Sequence, residues 1–217
     1  MTITQNSGVS LSPSLRKPLS PERMDALKEV ANIGAGHAAT ALSLMTGARI
    51  MIDVPTISIA PLDELIPGIA EEGSEVVSVL MDMSGSLTGH TLLALPLTTA
   101  RRLADLMLRR ERRAGGSLDL LEESALKEAG NILGGAYMTA LSEFLGMVLL
   151  PSPPRLSVGT TEAVMDGHRQ TASSAAAACC VETEFTFEEI GEQFRGFFLL
   201  LPDEKSFDAI FDAVNVK

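Results

Sequence analysis

Apolar positions return along this chain with two periods, and the switches between them mark its elements. Over residues 20–47, SPERMDALKEVANIGAGHAATALSLMTG, Leu27, Val30, Ala31, Ala38, Ala41, Leu42 and Met45 recur at helical spacing. Over residues 117–146, SLDLLEESALKEAGNILGGAYMTALSEFLG, Leu121, Ala125, Ala129, Ile132, Ala136, Ala140, Leu141 and Phe144 do the same. Ser20 followed by Pro21 opens the first stretch, Asp119 with Glu122 three residues on opens the second, and each closes on a glycine. Two long helices are predicted. Between and after them the period falls to two: β-branched alternation predicts strands at 49–60, 75–83, 86–95, 147–158, 172–187 and 195–201. Pro55 and Pro154 interrupt two of these, which marks edge strands or breaks between short ones. Ser84 and Gly85 join a hairpin, residues 61–73 and 159–171 read as loops with one short helical turn in the first, and Pro96 and Pro202 start helices over 97–113 and 203–214.

The two long helices belong to one pattern written twice. Glu29 and Glu128, Asn32 and Asn131, Ser43 and Ser142, Gly47 and Gly146, and Pro55 and Pro154 are each 99 positions apart. Pro96 and Pro202 are 106 apart, so the second copy gains seven residues between its helix and its hairpin. Two halves follow, 20–113 and 117–217, each ordered long helix, strand, loop, hairpin, short helix. Their strands are expected to form one mainly antiparallel sheet of about six, with the long helices laid on it: an α+β fold of two pseudo-symmetric halves in one domain. Residues 1–19, rich in Ser, Thr and Pro, are expected to be a disordered tail.

Each helix keeps a narrow polar stripe. Asp25, Glu29 and Asn32 stand at i, i+4 and i+7, which at about 100° per residue confines them to an arc of about 60°. Ser124, Glu128 and Asn131 repeat the spacing. A solvated face is the ordinary account of the charges. It does not account for asparagine, a mediocre helix former, in mid-helix at both positions.

Composition narrows the partners. A net charge of −11 argues against nucleic acid and against an acidic membrane surface, leaving a protein or a small molecule. The run Arg101, Arg102, Arg109, Arg110, Arg112, Arg113, interleaved with Asp105 and Glu111, reads as a solvated helix end. Cys179 and Cys180 are adjacent, cannot form an ordinary bridge, and suit small strand residues in a reducing compartment. No apolar run of signal-peptide or membrane-spanning length occurs, so the expected location is the cytoplasm.

Familiar catalytic constellations are missing. His37, His90 and His168 lie far apart without zinc-ligand spacing, and neither a nucleophile elbow nor a phosphate-binding loop is present. Gly34, Gly36, Gly134 and Gly135 lie inside the helices, where close packing explains them better than phosphate binding. An enzyme built this way has no nucleophile, cofactor or metal of its own. Phosphoryl transfer needs none, because positioning a water can supply much of the rate, and an amide with one acceptor and two donors can hold that water.

Here the residues carry a resemblance. Asp or Ser, three residues, Glu, two residues, Asn, twenty-two residues, Pro is similar to the signature of the CheC, CheX and FliY phosphatases of bacterial chemotaxis. It is met by Asp25, Glu29, Asn32 and Pro55, and again by Ser124, Glu128, Asn131 and Pro154. The resemblance implies hydrolysis of the phosphoaspartate of a CheY-like response regulator, with Mg2+ supplied by the regulator. Asn32 and Asn131 would orient the attacking water, Glu29 and Glu128 would engage the regulator's lysine, and Asp25 and Ser124 would lie further along the docking face. Two intact motifs are more like CheC than CheX, and the chain shows no extension like the flagellar-switch domain of FliY. CheC relatives also bind the deamidase CheD, on which no residue here decides, and the fused duplication makes a monomer reasonable. Two other readings of the stripes stand beside this one: a module that docks a regulator or a CheD-like deamidase without hydrolysis, and a structural protein with solvated helix faces.

Overall fold

The structure of the protein, a computed structural model, describes residues 20–60, 62–69, 71, 73–111, 116–164, 166, 178–187 and 192–214. The tail expected over 1–19 lies outside them. Helix α1 (Pro21–Thr46) leads to strands β1 (Ile50–Ile52) and β2 (Thr56–Ala60), then α2 (Leu62–Ile69), the hairpin β3 (Glu75–Gly85) and β4 (Gly89–Pro96), and α3 (Leu97–Met107). The order then recurs as α4 (Leu120–Leu145), β5 (Leu149–Pro151), β6 (Arg155–Thr160), β7 (Ala178–Phe187), β8 (Glu192–Pro202) and α5 (Glu204–Val214).

One antiparallel sheet runs through both halves in the order β1/β2, β7, β8, β4, β3, β5/β6. Six ladder positions hold eight strands, because each edge is broken at its proline: a residue without an N–H cannot continue a ladder. The break at 53–55 separates β1 from β2, and that at 152–154 separates β5 from β6. The edges are exchanged between halves. β1 and β2 pair with β7, whereas β5 and β6 pair with β3. The hairpins meet at the centre, where β4 pairs with β8 and the fully buried Leu92 faces Leu199.

Both sheet faces are covered, which explains the unbroken buried run from Val76 to Met81. On one face Val77, Val79, Leu93, Leu95 and Phe185 meet Ala38 and Leu42 of α1 and Leu126 and Leu133 of α4. On the other, Val76, Leu80, Leu92, Phe197 and Leu199 meet Leu65 and Ile69 of α2 together with Val164. Cys180 belongs to that second layer, and burial pushes its thiol up to about 11.

Some boundaries differ from expectation. Residues 61–73 contain the two-turn helix α2, recruited because the second sheet face needs an apolar cover. The loop expected at 159–171 begins later: β6 runs to Thr160, and residues 161–164 turn helically with Val164 buried. Helix α3 ends at Met107 instead of continuing to Arg113. Leu108 caps it, and Arg109 adopts φ 53° while its N–H donates to the Leu106 carbonyl at 3.1 Å. The basic run is therefore divided. The Arg109 guanidinium lies over Gly47 at the end of α1, and Arg110 pairs with Asp119 at 3.1 Å at the start of α4.

Candidate active site

The six stripe residues stand on regular helix, outward from the sheet. Asp25, Glu29 and Asn32 on α1 and Ser124, Glu128 and Asn131 on α4 are all exposed, while Leu27, Val30, Ala31, Ala125, Leu126 and Ala129 behind them are buried. A stripe of 3.6 periodicity on a helix whose other side is apolar can take no other orientation. Among the described residues no side-chain hydrogen bond engages either asparagine amide. Lys28 lies 3.3 Å from Asp25, but both are largely in water, where such a pair contributes little. Each helix brings its own triad together. Pro55 and Pro154 stand apart from the stripes, at the edge-strand breaks.

The helices are held by interior contacts. A Cβ on Gly34 would lie 2.5 Å from Cδ1 of Tyr137, so α1 crosses α4 at van der Waals contact. Tyr137 is fixed in turn: its ring stacks on Phe198 with centroids 4.5 Å apart, and its hydroxyl is 3.2 Å from Thr183 Oγ1. Burial raises its pKa against the opposing effect of Thr183. Gly130 lets α4 settle on Val79, and Gly134 lets it settle on Met81. Close packing thus accounts for Gly34 and Gly134, as expected, and for Gly130. Among the described residues it does not account for Gly36 and Gly135, where an added Cβ meets nothing within 4 Å.

The helix ends are locked as well. Asp119 accepts from the N–H groups of Leu121 and Glu122 at 2.9 and 2.8 Å, and Glu122 accepts from the Asp119 N–H at 2.7 Å, closing a capping box. The Glu122 N–H holds the Asp119 carboxyl below the usual range, with Arg110 and the Leu121 N–H assisting. At the other end Ser43 Oγ accepts from the Ile50 N–H at 2.9 Å at the start of β1, and Ser142 Oγ donates to the Met147 carbonyl in the loop before β5, so each repeated serine ties its helix to the chain that follows it. The packing role of Tyr137 has no local signature in the sequence beyond its being the chain's single tyrosine. His90 Nδ1 is 2.9 Å from Asp82 on the opposite sheet face, away from the stripes.

Among the described residues each stripe can therefore offer an unengaged amide, acceptor and donor together, with a carboxylate one turn below on a packed helix. That combination can hold a water and meet a cation. Fold and site together define a class, the duplicated α+β domain with a Glu-x-x-Asn pair facing outward on each of two packed helices. The chain belongs to the CheC-like family, whose pattern matches residues 22–59 and again residues 121–158, two spans offset by 99. It is 31% identical over 210 residues to the CheY-P phosphatase CheC of Bacillus subtilis (strain 168), covering 93% of this chain and 98% of that protein. It is 29% identical over 141 residues to the flagellar motor switch phosphatase FliY of the same organism, covering 64% of this chain and 36% of that one. The X-ray structure of Thermotoga maritima FliY superposes with a TM-score of 0.75 at 26% identity, covering 93% of this chain and 100% of that one.

Proposed function

We propose that this protein is a hydrolase that removes the phosphoryl group from the aspartate of a CheY-like response regulator. Asn32 and Asn131 each reach beside the acyl phosphate and hold a water in line with phosphorus. As the water oxygen bonds to phosphorus, the bond to the aspartate oxygen breaks, the carboxylate leaves, and the water's protons pass to the released phosphate and solvent. Glu29 and Glu128 pair with the lysine of the regulator's site, and Asp25 and Ser124 extend the contact along the helix. The magnesium ion travels with the regulator, since this chain needs only to orient the water and fix the approach. The observation that carries this reading is the exposure of an unengaged amide and its carboxylate, twice, on interlocked helices. The names borne by the CheC and FliY relatives support it.

Phosphate release from phosphorylated CheY tests it. The double variant Asn32→Ala, Asn131→Ala is expected to keep its helical circular dichroism and lose about a hundredfold or more in turnover, because water positioning is the whole catalytic contribution. Undiminished turnover refutes the role. Unchanged regulator binding with no hydrolysis by the parent protein favours docking without catalysis.

A further inference from the structure

A glycine inside a helix costs about 1 kcal/mol relative to alanine. Helices α1 and α4 carry that cost at corresponding positions, Gly36 and Gly135, 99 residues apart. The other glycines in their interiors have an internal reason: Gly34 meets Tyr137, Gly130 meets Val79 and Gly134 meets Met81. Gly36 and Gly135 have none. Neither has a positive φ, and a Cβ built on either meets none of the described residues within 4 Å. Each follows the asparagine of its own helix by four residues, so it lies one turn on and only about 40° around, beside the amide. Thr40, one further turn along α1, donates its hydroxyl to the Gly36 carbonyl at 2.9 Å.

We propose that Gly36 and Gly135 are positioning residues for the partner. The missing side chain opens a shallow seat in which the surface around the regulator's phosphoaspartate comes against helix backbone, close enough for the neighbouring amide to reach the water. The inference rests on the phosphatase reading of the same stripes. A methyl group there would hold the partner off by roughly 1 Å, a displacement that can cost about a hundredfold in a reaction driven by alignment.

The test uses opposite signs. In the full-length protein, Gly36→Ala combined with Gly135→Ala removes two helix-interior glycines, so the melting temperature should rise. Affinity for CheY carrying beryllofluoride in place of phosphate should fall about tenfold or more, and kcat/KM for phosphorylated CheY should fall at least as far. Single-site parents localise the effect: Gly36→Ala is read in Asn131→Ala protein and Gly135→Ala in Asn32→Ala protein. A raised melting temperature with binding and kcat/KM within about twofold of the parent overturns the proposal, as does a lowered melting temperature, which would reveal an internal packing role. Should the double asparagine variant retain full turnover, the water-positioning role of the asparagines fails alone; weakened beryllofluoride–CheY binding by the glycine variant then still supports the seat, and unchanged binding overturns it.

Discussion

Three glycines within six residues of α4 show how far one residue type can diverge in role. A Cβ on Gly130 would lie 2.5 Å from Val79 Cγ1 and 2.8 Å from its Cβ, and a β-branched side chain in a strand has no free rotamer to retreat into. Met81, which a Cβ on Gly134 would meet, is unbranched and gives way at its tip. Gly130→Ala is therefore expected to destabilise by about 1–3 kcal/mol despite its better helix propensity, lowering the melting temperature by roughly 2–4 °C per kcal/mol. Gly135→Ala on the same helix should raise it. Equal shifts of one sign, seen by calorimetry, would remove the distinction between packed and open glycines. The sequence makes the Glu–Asn stripe legible because exposure follows directly from helical period and an apolar far side. It could not sort the glycines, since the atom that a Cβ would strike comes from an element far along the chain.

At the scale of elements, proline signals translated directly: Pro55 and Pro154 predicted edge breaks, and both edges break there. The end of α3 did not, because it is set by Arg109 lying over Gly47 and Arg110 reaching Asp119, contacts with no local trace in the arginine run. The second edge break is stapled from the neighbouring strands. Ser152 exchanges hydrogen bonds with the Asp82 backbone, donating its N–H to the carbonyl at 2.9 Å and accepting the Asp82 N–H on Oγ at 2.8 Å. Arg155 grips the Asp82 carboxylate with two bonds of 2.9 and 2.7 Å. That guanidinium, with the His90 hydrogen bond assisting, holds the Asp82 carboxyl below the usual carboxylate range against the cost of desolvation. A folded value below the unfolded one, about 3.9, means the staple stabilises above that pH and loses its effect as pH falls through the depressed value. Asp82→Asn should accordingly melt lower than the parent at neutral pH, by an amount reduced by salt because the group is partly exposed. The gap should close on acidification. A melting-temperature difference constant from neutral to strongly acidic pH would show that the ion pair does not carry the effect.

Across the whole molecule, duplication was legible from a single offset, whereas the exchange of edges was not, because matching copies do not say which copy a strand pairs with. That exchange makes the halves interdependent. β1 and β2 of the first half complete the sheet on β7 of the second, β5 and β6 of the second complete it on β3 of the first, and Tyr137 of α4 fills the space left by Gly34 of α1. Two separable domains would unfold in two steps; interleaved ones expose their edges and the α1–α4 contact together. Leu199 sits fully buried at the β4–β8 seam, facing Leu92 of the other half. Leu199→Ala is expected to cost about 2–5 kcal/mol, and the loss should be felt equally in both halves. Calorimetry should give one transition with van't Hoff and calorimetric enthalpies in agreement, and hydrogen exchange should rise in α1 and α4 alike. If protection in α1 survives while that of α4 collapses, each half stands alone, and the two stripes are then sites on independent bodies, not paired faces of one frame.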